Sequence, residues 1–112
     1  MRLPNAERAV VDIARLRDYS LNPAHDKGRH KARVFAAAMG FTASDAERLR
    51  GMILAAASTN EATQVTTDGH GTRYRVDFEA QGLSGPVIIR TAWHIDAGGT
   101  VPRLVSCYVR GK

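Results

Sequence analysis

Six side chains able to meet a phosphate fall within residues 25–33: His25, Lys27, Arg29, His30, Lys31 and Arg33, opposed only by Asp26. Four cations against one carboxylate give the stretch a formal charge of +3 with both imidazoles neutral. Histidine is the side chain whose ordinary titration lies inside the working pH range, so His25 and His30 are candidates for general acid and base. Lys31, Arg29 and Arg33 could neutralise a phosphate or the charge that develops on it. The plain alternative is a solvated helix entrance on which His30 is exposed by chance. A basic group at a helix N-terminus opposes the dipole, at a cost of a few tenths of a kcal/mol when exposed. That local conflict marks the patch as a functional candidate.

A second set lies in the C-terminal half. Alternation along residues 90–95 puts Thr91, Trp93 and Ile95 on one face of a strand and Arg90, Ala92 and His94 on the other. Along residues 103–109, Leu104, Ser106 and Tyr108 share a face opposite Arg103, Val105, Cys107 and Val109. An open sheet face with hydroxyls, Trp93 or Arg75 and Arg90 would suit RNA, where stacking and phosphate contacts dominate. The plain alternative makes Trp93 and Tyr108 core aromatics. Cleaving RNA without a metal needs a base for the 2′-hydroxyl, an acid for the leaving oxygen and cations around the phosphate. His25, His30, Lys31, Arg103, Ser106 and Tyr108 contain every such group. No spacing among His25, His30 and His94 resembles a metal-ligand motif, so neither a metal nor a cofactor is expected.

The elements that must position these groups follow from periodicity. Asp12 can cap a helix over residues 13–20 with Ile13, Leu16 and Tyr19 inward, ended by Asn22-Pro23. Residues 22–28 then form a loop presenting His25. A second helix runs from Gly28 or Arg29 to Gly40, with Ala32, Phe35, Ala36 and Met39 as its apolar stripe. Ser44 with Glu47 reads as a capping box for a third helix carrying Leu49, Met52, Ile53 and Ala56. From Thr63 the period changes to two. Strands are expected at 64–67, 72–78, 87–95 and 103–109, the third central in the sheet. The fold class is α+β: two or three N-terminal helices, about 12–58, then a four-stranded antiparallel β-meander, about 63–109, in one domain spanning 1–112.

At 112 residues and 44% apolar, the chain can bury one core. No run approaches the ~20 apolar residues of a membrane span, and the N-terminus leads into charged sequence rather than an apolar signal core. With a lone Cys107, these features suggest a cytoplasmic protein that does not engage membranes. Net charge is +5, and residues 1–57 carry ten Lys or Arg against six Asp or Glu. A polyanionic or acidic partner fits that balance.

Leu21-Asn22-Pro23, His25, Gly28, Lys31-Ala32, Phe35, Gly40-Phe41, Tyr74, Thr91-Ala92-Trp93 and residues 102–106 together resemble a bacterial domain-of-unknown-function family. Its members occur free-standing and at the C-termini of polymorphic toxins. The resemblance covers roughly residues 9–108. The order of helices then meander also looks like the barnase, EndoU, colicin and RelE group of metal-independent ribonucleases. This resemblance implies an RNA-cleaving toxin, acting on tRNA or mRNA and held by a small acidic antitoxin or immunity protein. His25 and Lys31 match the polar motif, Arg103 and Ser106 the closing strand; these four are the expected catalytic residues. His30, Arg29, Arg33, Thr91, Trp93 and Tyr108 are the expected substrate-binding ones. The alternative is a non-catalytic nucleic-acid-binding or protein-interaction module of a toxin-antitoxin system.

Overall fold

The computed structural model describes residues 1–110. An N-terminal arm lies against the core, with a single turn of 3-10 helix at Ala6–Arg8 and one parallel bridge from Val10 to Arg103. Helix α1 starts at Ile13–Arg15, where the Asp12 carboxylate accepts the Ala14 N–H at 3.0 Å. It then widens into a π-helical segment, Leu16–Ser20, closed by Leu21 N–H donating to the Leu16 carbonyl at 2.8 Å. Helix α2, Arg29–Met39, buries Ala32, Phe35 and Met39. It stops at Gly40, whose φ of 71° lets Phe41 N–H fold back onto the Phe35 carbonyl.

Helix α3, Ala46–Thr59, follows a short 3-10 turn at Ala43–Asp45. Its capping box is Thr42 with Asp45, two residues before the Ser44–Glu47 pair read from sequence. Thr42 has the extended backbone that a cap requires, and its N–H donates to Asp45 Oδ2 at 2.8 Å. The Ser44 hydroxyl only joins that of Thr42, at 2.8 Å. Both pairs fit the motif; the 3-10 turn decides between them.

Strands β1 (Ala62–Asp68), β2 (Gly71–Gly82), β3 (Gly85–Asp96) and β4 (Arg103–Val109) pair antiparallel in the order β1-β2-β3-β4, so the meander and the interior place of β3 are as expected. The β2–β3 hairpin reaches further than the sequence suggested, to the pair Gly82 and Gly85. Its tip is pinned where Leu83 N–H donates to the Ala38 carbonyl at 2.7 Å, near the end of α2.

Helices and sheet share one core containing Leu16, Phe35, Leu49, Ile53, Val76, Ile89 and Trp93. The helices cover a single face of the sheet. Tyr74, Val76, Phe78, Ile89, Thr91 and Trp93 point into it. A register shift between Ala92 and Trp93 sets Ala92 opposite Ser106 but Trp93 opposite Leu104, leaving Val105 as the extra residue. This bulge corrects the strict alternation expected along β4. Leu104 faces the core with Cys107 and Val109, while Arg103, Ser106 and Tyr108 share the uncovered side. No helix among the described residues is long and apolar enough to cross a membrane.

Cys107 lies wholly inside this core. Burial pushes its thiol up to about 11, partly opposed by the Ser20 hydroxyl and the charge of Lys31. The group is therefore a protonated thiol throughout the neutral range. In the folded protein we expect at least a hundredfold slower reaction with an aromatic disulfide reagent at pH 8 than in urea, measured by released chromophore. Comparable rates in the two states would contradict this placement.

Candidate functional site

The loop over residues 22–28 is held by its own polar side chains. Asn22 Oδ1 accepts the Ala24 N–H at 2.9 Å and its amide donates to the Asp18 carbonyl at 3.2 Å. Pro23 has already stopped α1 from continuing. His25 then performs the capping that Gly28, lacking a side chain, cannot: its Nδ1 accepts the backbone N–H groups of Lys27 and Gly28, each at 3.0 Å. Backbone N–H groups only donate, so Nδ1 must offer its lone pair. The neutral ring consequently carries its proton on Nε2.

The imidazole packs on Tyr19 with ring centres 4.6 Å apart and planes tilted by 60°. Lys31, on the first turns of α2, places its ammonium 5.4 Å from the centre of the same Tyr19 ring and 5.5 Å from that of Tyr108. Both distances are within cation–π range. The imidazole and the Lys31 ammonium therefore lie within 10 Å of one another, one aromatic ring serving both. A phosphate accepting one charge-assisted bond from each would span about 8 Å between donors. No carboxylate among the described residues pairs with Lys31, so its charge is available to an anion.

Tyr108 continues the site onto the sheet. It sits opposite Arg90 on β3, which in turn sits opposite Asp77 on β2. Asp77 holds the Arg90 guanidinium through two bonds of 3.0 Å, and Arg110 approaches the same carboxylate at 3.7 Å. Asp77 chiefly, with the neighbouring Tyr108 phenol, keeps Arg90 firmly charged against the opposing effect of burial. A fixed guanidinium thus stands beside Tyr108, and an uncompensated ammonium over its ring.

Residues 2–111 match the family described as Domain of unknown function (DUF6883). The chain belongs to this family. No curated protein and no solved structure matches it.

Of the residues that the sequence proposed for this DUF6883 chain, His25 and Lys31 each approach the Tyr19 ring, and Lys31 also meets Tyr108. They line separate grooves, however, His25 with Tyr19, Asn22 and Lys27, and Lys31 with His30, Val34 and Tyr108. His30 is exposed beside Lys31, lining a shallow groove with Val34, Tyr108 and Val109. Ser106 is half-buried on the uncovered face, one strand repeat from Tyr108. Arg103 does not join. It begins β4, about 16 Å along the strand from Tyr108, and pairs with Asp96 at 3.3 Å. Arg29 and Arg33 are each two residues from Lys31, hence about 160° around the helix from it. Arg33 lines a different groove, with Leu21, Pro23 and Phe41.

Thr91 and Trp93 are corrected as substrate contacts. Trp93 is 0% exposed, its indole N–H donating to Thr91 Oγ1 at 2.9 Å, while Thr91 donates to the Val76 carbonyl at 2.7 Å. Their polar atoms are consumed inside the core. Sequence reasoning also misses Tyr19, which periodicity places among the helix's inward residues, whereas Arg90, offered from sequence only for an open sheet face, stands beside Tyr108. The π-helical turn that re-aims Tyr19 is a common mark of functional sites, but hydrophobic periodicity does not reveal it. Among the described residues no cluster of three metal-binding side chains occurs.

Proposed function

We propose that this protein is a metal-independent endoribonuclease toxin that cleaves RNA by transesterification. The observation that supports the reading best is that the His25 imidazole and the Lys31 ammonium both approach the Tyr19 ring, with the Tyr108 ring 5.5 Å from the same ammonium. In the reaction the 2′-oxygen attacks phosphorus and the bond to the 5′-oxygen breaks, leaving a 2′,3′-cyclic phosphate and a 5′-hydroxyl. The 2′-hydroxyl proton passes to solvent. Lys31 offsets the charge accumulating on the phosphoryl oxygens, and His25 Nε2–H donates to one of them. The Tyr108 phenol, backed by Arg90, donates to the departing 5′-oxygen. His25 thus serves as a fixed donor rather than the base expected from sequence, because taking a proton on Nδ1 would release two backbone bonds. A protein of net charge +5 acting on RNA suits restraint by a small acidic antitoxin.

A second reading rests on the same Nδ1 contacts. A donor-only imidazole beside an unpaired ammonium is also a phosphate-holding pair that performs no chemistry. Expression of the wild type beside the double variant His25→Ala, Lys31→Ala separates the two. We expect growth arrest and new cyclic-phosphate RNA ends with the wild type alone. Unchanged RNA at verified expression, with no inhibitor present, would leave the binding module as the function.

A further inference from the structure

We propose that the uncovered face of the sheet is a track for a single RNA strand leading to the Lys31 corner. The inference takes its substrate from the ribonuclease reading above. Cross-strand register sorts this face into rows. Asp77, Arg90 and Tyr108 form one, with Arg110 reaching the same carboxylate. Arg75, Ala92 and Ser106 form the next, and Arg73, His94 and Arg103 the third, with Asp96 joined to the last two.

By register the three rows carry net charges of 0, +1 and +2. Counting Arg110 and Asp96 with the rows that their side chains reach leaves one surplus cation in each. In the first, two arginines share Asp77; in the second, Arg75 has no acidic partner among the described residues; in the third, Arg103 pairs with Asp96 and Arg73 has no acidic partner among the described residues. Successive rows are two residues apart along the strands, about 6.6 Å. A surplus of one positive charge at each step of a regular ladder matches a polymer with one negative charge per repeat. The surplus ends at both edges: Glu79 lies opposite Ile88 beyond the Asp77 row, and Asp68 and Asp96 flank Gly71 beyond the Arg73 row. The Asp77 row also contains Tyr108, over whose ring the Lys31 ammonium sits. The track and the site therefore meet at the same phenol. Apart from Val65 at the β1 bulge, the exposed members of this face are charged or hydroxylic, with Ile88 and Ala92 only partly exposed and His94 buried.

A double variant, Arg73→Gln with Arg75→Gln, tests the track. The probe is a fluorescent ten-nucleotide 2′-O-methyl oligouridylate, whose blocked 2′-oxygen prevents cleavage. Its affinity is measured by anisotropy across salt concentrations, and a thermal melt confirms folding. Losing two phosphate contacts should reduce the slope of log affinity on log salt by about 1.4, and weaken binding roughly twenty-five-fold at 0.1 M salt. The charge-matched variant Arg29→Gln with Arg33→Gln, on the far flank of α2, should leave the slope within about 0.3 of wild type. Equal losses in the two variants, or no loss in the first, would overturn the track. Cleavage of unmodified RNA by the wild type is scored separately. Cleavage with an unmoved slope removes the track and keeps the ribonuclease, whereas a shifted slope without cleavage does the reverse.

Discussion

Replacing His25 with Asn is expected to leave the fold standing and to slow RNA cleavage roughly 10²–10³-fold. The two ring nitrogens of His25 have separate tasks. Nδ1 accepts from Lys27 and Gly28 and so closes the entrance to α2, while Nε2 is the end available to a phosphate. An Asn carbonyl oxygen reaches about as far as Nδ1 and is among the best helix-capping acceptors. It retains the first task and gives up the second. Thermal unfolding should therefore stay within about 1 kcal/mol of wild type while cleavage of a fluorogenic oligoribonucleotide collapses. His25→Gln should show the opposite balance. Its amide extends to the Nε2 level and can donate there, but leaves the two backbone N–H groups without their acceptor, costing about 1–3 kcal/mol. Wild-type cleavage by the Asn variant would remove His25 from the chemistry. A large loss of stability in that variant would refute the capping assignment.

The parts of this molecule legible in its sequence are those governed by local periodicity. The extent of α2 up to Gly40 follows from the apolar spacing of Ala32, Phe35 and Met39 and from one residue able to take a positive φ. The meander follows from the change to a period of two after Thr63. What cannot be read are single-residue insertions, because one extra residue reverses a face without changing composition. The bulge at Val105 turns Leu104 inward, and the π-helical turn at Leu16–Ser20 brings Tyr19 to His25. Alternation also says which residues share a face, not which face the helices will cover. It puts Thr91 and Trp93 on one side of β3, as observed, yet that side meets the core and not a ligand. Arg103 shows the limit of a motif: residues 103 and 106 are close in sequence, yet strand geometry directs the first to Asp96 and away from Lys31.

The position on which the site's geometry turns most sharply is Gly28. A Cβ built there would lie 2.1 Å from the Tyr19 carbonyl oxygen and 2.8 Å from its carbon, both backbone atoms that no side-chain rotation can move. The φ of −87° at Gly28 is ordinary for any residue, so backbone preference gives glycine no advantage. On that ground alone Gly28→Ala would stabilise the protein by about 0.4–1 kcal/mol through the unfolded chain. The close approach predicts the opposite sign. To reach normal contact the loop must retreat by about 1 Å, straining the Gly28 N–H bond to His25 Nδ1 and opening the Tyr19–His25 contact. Overpacking of this kind costs about 1–3 kcal/mol, and the lost hydrogen bond about 1 more. We expect Gly28→Ala to lower unfolding free energy by about 2–4 kcal/mol in urea titration. Its folded fraction should also cleave RNA at least tenfold more slowly, since the imidazole and ammonium no longer share one ring. A Gly28→Ala variant as stable as wild type would show that the chain does not need this approach, and that the nearness of His25 to Lys31 has another cause.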